Sequence, residues 1–252
     1  CETVAKHMTK LTQISILLFV LSATLSDCES KKKLTYLETE EKIFYELFPV
    51  LIDNIYRDFR LIPPPPPPPE YLAEKGFDTT KDYNQAYKDW EKSEDYVKRQ
   101  NAWERKRDSI KRDTTLIYVA IPDSINRFEE EDMYELVDHF NKQKLVIDSN
   151  DFDLNIGFKI DFKKLKTNHE NLRFKPMSEF PKGRDFWRTK YDFNLTASIS
   201  FSRILFDETK SFGVLNAGFV EGPLNGSGCR IFIKKGENGK WLIDKIEGTW
   251  IS

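Results

Sequence analysis

"FNLTASISFSR", residues 193–203, sets Phe193, Leu195, Ala197, Ile199 and Phe201 at every second position, with Asn194, Thr196, Ser198, Ser200 and Ser202 between them. Successive side chains of a strand point to opposite faces, so this alternation predicts a β-strand with one face buried and the other wet. At Arg203-Ile204 the phase slips, which predicts a bulge or a change of strand partner. The clearest alternation of all covers residues 151–163, where Phe152, Leu154, Ile156, Phe158, Ile160 and Phe162 alternate with polar residues or glycine. Further strands are expected over 212–220, 229–235 and 241–247. Asn238-Gly239 suits a tight hairpin, and 222–228 a looser connection.

Upstream the apolar period changes from two to between three and four. Phe44, Phe48, Leu51, Ile55 and Phe59 predict a first helix, opened by the capping-box pattern Thr35-Tyr-Leu-Glu38 and bent at Pro49. Residues 63–69 are seven consecutive prolines, which fix φ and remove amide donors; they predict a polyproline II strut of about 22 Å. A spacer is the better reading of this run than a ligand for an aromatic groove. Residues 81–111 read as a charged helix with two aromatic seams, Tyr83/Trp90/Val97 and Tyr96/Trp103/Ile110, expected to pack into a core. Residues 116–121 suit a buried strand stopped by Pro122. A third helix then follows Asp123 or Ser124, burying Ile125, Phe128, Leu136, Val137 and Phe140. Helices and a proline strut ahead of a strand meander imply an α+β fold with a curved antiparallel sheet, similar in architecture to a cystatin-like or NTF2-like cone.

Residues 11–26 contain no charge and then meet Asp27, Cys28, Glu29 and three lysines. A bilayer span needs about 20 apolar residues, so this stretch fits the h-region of a secretory signal better. Met8-Thr9-Lys10 would be its start, with the residues before it an upstream remnant. Leu25-Ser26-Asp27-Cys28 resembles a lipobox, apart from Asp27 where that pattern has a small residue. The reading that follows is lipidation of Cys28 and attachment to a membrane, with plain secretion and a folded or spanning helix as alternatives. The segments are then 1–27 as signal (8–27) with its remnant, 28–70 as tether, first helix and strut, 71–113 as charged helix, and 114–252 as the α+β domain.

The 252 residues are 39% hydrophobic and 13% aromatic, enough for a sizeable core. With 39 basic and 41 acidic residues there is no net field to gather nucleic acid, and no nucleic-acid partner is expected. Cysteines at 1, 28 and 229 do not make a disulfide framework. His139 and His169 belong to no metal-ligand spacing, so neither metal nor cofactor is expected. Residues 148–153 alternate carboxylates and amides like a calcium loop, but lack its glycine and its terminal glutamate. Four consecutive carboxylates, 129–132, fit the solvated first turn of a helix. No nucleophile elbow or acid–base constellation stands out, and no catalytic residue is assigned. Arg230, Trp241 and Trp250, among the last strands, are the candidate binding groove, with core packing as the plainer role for both tryptophans.

Near the carboxyl end, "SISFSRILFDETKSFGVLNAGF" and "GSGCRIFIKKGENGKWLIDKIEGTWIS" resemble the terminal module of uncharacterised secreted proteins and lipoproteins of Gram-negative bacteria. Shared are the serine-phenylalanine strand, the glycine-rich loop, the Gly-Lys-Trp hairpin and the final Trp-Ile-Ser. Members carry cysteines in the glycine-rich loop; here none precedes Cys229. The resemblance implies an outer-membrane or periplasm-facing location and no particular reaction. The expectation is a lipid-anchored module that binds or scaffolds, with an envelope protein as a possible partner. The alternatives are a carboxylate-based hydrolase of envelope carbohydrate or peptide, and an immunity-type protein that neutralises a toxin.

Overall fold

A computed structural model describes residues 34–61, 67, 69–76, 78, 83–125, 128, 129, 131–147 and 157–252. Cys28, the leader, most of the proline run and residues 148–156 lie outside the described residues. Tyr36–Ser252 forms one compact unit; of the other, Cys1–Thr35, only Leu34 and Thr35 are described.

The fold is α+β. Helix α1 (Tyr36–Ile55) leads to short α2 (Pro69–Glu74), α3 (Tyr83–Trp90) and α4 (Glu94–Lys111). Strand β1 (Ile117–Ile121) is followed by α5 (Asp132–His139), β2 (Leu172–Pro176) and the single turn α6 (Asp185–Arg188). Strands β3 (Asn194–Phe201), β4 (Leu205–Phe206), β5 (Phe212–Gly222), β6 (Asn225–Lys235) and β7 (Trp241–Ile251) complete an open, curved sheet. Its order is β2-β1-β3-β5-β6-β7, with β4 paired to β5.

The meander from β3 to β7 is antiparallel, as its hairpin turns require. The sheet as a whole is mixed, because β1 runs parallel to both β2 and β3. Long crossovers carrying α5 and α6 make those two pairings possible, and no hairpin signal in the sequence announces them.

The inner face of the sheet is covered by α1. Phe44, Phe48, Leu47 and Leu51 pack on Val119, Ile199, Phe201, Leu215 and Ile231, all fully or almost fully buried. Phe44 meets Phe201 edge-on at 5.5 Å, and Phe48 meets Phe174 at 5.0 Å. Helix α1 runs through Pro49 to Ile55, so Phe59 lies beyond it. One charged pair is sealed into this layer. Arg203 donates to Glu40 through Nε (3.1 Å) and Nη2 (2.8 Å), and the Ile204 amide donates to Glu40 at 2.8 Å. The phase slip at 203–204 is this junction, where the chain leaves β3 to engage α1 before β4 begins.

Several local expectations change, among them the third helix, which starts at Asp132 and not after Asp123 or Ser124, and leaves Val137 exposed. Residues 157–163 form no strand of the sheet: Lys159 makes one antiparallel bridge to Ser124, although Phe158 and Ile160 are buried as their alternation predicts. The helical stretch 81–111 is broken at 91–93, and Ser93 caps α4 by accepting from the Tyr96 amide at 3.1 Å. Of the two aromatic seams only Trp90 is buried, against Tyr71 and Tyr96, and neither seam joins the core between α1 and the sheet. Helix α4 buries none of its residues and Val97 is exposed, because its high charge density leaves no continuous apolar stripe.

Candidate functional site

The outer face of the sheet is covered at its two ends and bare between them. At one end α5 lays Leu136 and Phe140 over Leu205, Val214 and Phe232. At the other, Phe180 and Phe186 cover Ala120. Strand pairing puts two rows of outward residues side by side across the open middle. Ser200 pairs with Gly218, Gly218 with Gly228, and Gly228 with Trp250. Two residues along, Ser202 bonds to Asn216, Asn216 pairs with Arg230, and Arg230 with Glu247.

Trp250 lies flat on this strip. A methyl group built on Gly228 would overlap the indole, lying 1.9 Å from Nε1, 2.4 Å from Cδ1 and 2.5 Å from Cε2. One on Gly218 would lie 3.6 Å from Cζ2, and one on Gly226 3.2 Å from Cζ3. Both rings therefore rest on glycine backbone of β5 and β6, a seat that no larger residue at 228 would allow. Trp250 is nonetheless 46% exposed, so with one side of the indole on glycine its other side is the one open to solvent. Glycine in a strand interior costs about 0.5–1 kcal/mol relative to alanine, and the seat concentrates three of them under one ring.

Beside the indole stands a charged cluster tied to the start of α5. Arg230 donates from Nε to Asp132 (3.3 Å), pairs through Nη1 with Glu135 (2.9 Å), and has Nη2 3.8 Å from Glu131. Asp132 is fully buried and also accepts from Asn216 Nδ2 at 2.8 and 3.0 Å and from the Glu129 amide at 3.2 Å. The expected solvated turn is thus wrong for Asp132: Arg230 and Asn216 supply the hydrogen bonds that its burial demands. Locking the Asn216 nitrogen onto Asp132 leaves Asn216 Oδ1 buried with no partner among the described residues. An unmet acceptor of this kind costs about 1–3 kcal/mol.

Together these groups enclose a hollow of about 520 Å³ lined by Glu129, Glu131, Ser200, Ser202, Asn216, Arg230, Thr249 and Trp250. A second hollow of about 650 Å³, lined by Ser178, Phe180, Phe186, Trp187 and Ser198, opens on the same face. Ser198 and Ser200 are alternate residues of β3, roughly 7 Å apart on one side of the strand.

Of the three candidate groove residues, Arg230 and Trp250 line one hollow. Trp241 does not join them. It is 7% exposed and packs on Phe206 at 5.2 Å, a core residue on the inner face, because its place on β7 has the opposite facing. The glycines at 226 and 228, read from sequence as a loose connection, are strand residues that seat Trp250. Their spacing of two was the available signal. Asn216 and Asp132 join the site only through pairing across β5, β6 and α5.

Glu129 and Glu131, the carboxylates that line the hollow, are exposed. Among the described residues the carboxyl held above its ordinary range by burial is Glu40, on the other face and closed by Arg203. Burial likewise pushes the Cys229 thiol up, away from the thiolate a nucleophile needs. Among the described residues no group of three His, Cys, Asp or Glu side chains could hold a metal ion, and no helix is long and apolar enough to cross a membrane. Compared with protein-family models, curated proteins and solved structures, the chain finds no match.

Proposed function

We propose that this chain is a binding module of the bacterial cell envelope, tethered by acyl chains on Cys28, that holds its ligand on the open strip of the sheet at Trp250. The observation that carries the binding half is the displayed indole. Fixed on a glycine seat, it is kept half-exposed beside a hydrogen-bonded charge cluster, where folding alone would favour covering it. The short uncharged leader, the lipobox-like Leu25-Ser26-Asp27-Cys28 and the resemblance of the last strands to Gram-negative lipoproteins support the envelope half. Two or more acyl chains hold a protein firmly where one does not. Binding is favoured over hydrolysis because general acid catalysis uses a carboxyl with a raised pKa at the reacting centre, and among the described residues the carboxyl so held lies beneath the opposite face.

The test fractionates Gram-negative cells producing the full chain, Cys28→Ser, and Cys28→Ser with Trp250→Ala. The full chain sediments with membranes and its amino-terminal peptide carries fatty acids. Cys28→Ser leaves the membrane fraction but is retained by isolated envelope material, and adding Trp250→Ala releases it. An unmodified Cys28 removes the anchor. Retention indifferent to Trp250 removes the binding face.

A further inference from the structure

We infer that the ligand of this face is a neutral oligosaccharide, with one pyranose ring stacked on the free side of Trp250. The inference rests on the binding reading above and adds the chemical class. A pyranose presents a flat patch of C–H groups ringed by hydroxyls, so its receptor needs an aromatic platform bordered by mixed donors and acceptors. The hollow has that composition. Trp250 offers one accessible face held rigidly by Gly218, Gly226 and Gly228. Around it stand the hydroxyls of Ser200 and Ser202 and the exposed carboxylates of Glu129 and Glu131.

Electrostatics and shape narrow the class further. Among the described residues Arg230 is the one cation lining the hollow, and Asp132, Glu135 and Glu131 already answer its charge. With Glu129 added, carboxylates outnumber cations, so phosphates, nucleic acids and acidic sugars meet repulsion. A quaternary ammonium group is best held by a cage of several rings, whereas of the two aromatic residues described along this hollow Phe201 packs its ring into the inner core on Phe44 and Phe48, which leaves Trp250. An extended peptide pairs with a sheet edge, whereas the hollow lies on the face, over paired strands. The second hollow adds length. Ser198 belongs to it and Ser200 to the first, and Trp187 and Phe186 give it its own aromatic wall. A ligand that uses both must span more than one sugar.

The test titrates the full chain with neutral hexaoses of β-1,4-glucose, β-1,3-glucose, α-1,4-glucose, β-1,4-xylose, β-1,4-mannose and β-1,4-N-acetylglucosamine. Hexagalacturonate and tetramethylammonium are the comparison ligands, with calorimetry and tryptophan fluorescence as readouts. At least one neutral hexaose should bind with Kd of about 1 mM or tighter. Trp250→Ala should weaken it about tenfold or more and Trp250→Phe less, since a smaller ring keeps part of the platform. Trp187→Ala should weaken the hexaose more than the matching disaccharide. Circular dichroism confirms that each variant is folded. The inference is overturned if no neutral hexaose binds, if binding ignores Trp250, or if hexagalacturonate or tetramethylammonium binds best. Should retention on envelope material depend on Trp250 while every sugar fails, the ligand class is wrong and the binding face stands. Should retention also ignore Trp250, both fall.

Discussion

Arg203 and Arg230 each draw a helix carboxylate onto the same sheet, one from each face, and they do opposite things. Arg203 meets Glu40 in the closed inner layer, where both side chains are almost fully buried and the guanidinium lies over the ring of Phe128 at 4.5 Å. Arg230 meets Asp132 at the border of an open hollow, with Glu131 and Glu135 reaching it from solvent. The inner pair fastens α1 to the turn between β3 and β4. The outer pair fastens the start of α5 and frames Trp250. Burial of an ion pair therefore has no single meaning in this molecule: what surrounds the pair decides whether it closes a core or borders a site.

The largest effects should come from breaking the inner pair. Glu40→Ala or Arg203→Ala strands a buried charge and is expected to lower stability by about 3–5 kcal/mol in urea unfolding. Glu40→Gln should cost less, because the amide oxygen can still accept from Arg203 and from the Ile204 amide. A Glu40→Ala variant as stable as the parent would remove the distinction between the faces.

Next come the two tryptophans of β7. Trp241→Ala should cost about 3–5 kcal/mol as a core truncation, and Trp250→Ala about 1 kcal/mol. Brief oxidation followed by peptide mapping should modify Trp250 well before Trp241. Equal rates would mean that Trp250 is covered.

Breaking the outer pair should be milder than breaking the inner one. Asp132→Ala leaves Arg230 with Glu131 and Glu135, so about 1–3 kcal/mol is expected, together with impaired binding as Asn216 loses its anchor. A cost above that of Glu40→Ala would reverse the ranking of the two faces.

The smallest expected effect is a pH dependence. Lys234, and after it His139, hold the Asp244 carboxyl below its ordinary 3.8 and tie the end of α5 to β6 and β7. A depressed carboxyl contributes stability that is fully present above the unfolded pKa and is lost as pH falls through the folded one. Asp244→Asn should therefore flatten the decline in stability below about pH 4, with little change at neutrality. An acid limb unaltered by this substitution would show that the tie contributes nothing.

How much of this could be read from the residues depends on the range of the interaction. Alternation over 193–202 and 212–220 is a local property, and so the meander and its inward faces were legible. Helix α1 was legible for the same reason. The parallel pairings of β1 were not, because they depend on crossovers whose ends carry no turn signal. Helix α4 looked like core because aromatics recur in it, but nothing in a helical period says whether a neighbour is there to cover them. At the site, Arg230 and Trp250 could be suspected as polar and aromatic residues on late strands. The seat could not: Gly218 and Gly228 belong to different strands and meet Trp250 only through register. Asp132 hid within a run of like charges, and its burial follows from Arg230 and Asn216, distant in sequence.

The most direct measurement compares oligosaccharide binding by Gly228→Ala and Gly222→Ala. Both add a single methyl group, yet at 228 it would lie 1.9 Å from Nε1 of the Trp250 indole, and at 222 it meets nothing within 4 Å. The account predicts that Gly228→Ala keeps its circular dichroism and loses about tenfold or more in affinity, while Gly222→Ala binds like the parent chain. Undiminished binding by a folded Gly228→Ala variant would contradict it.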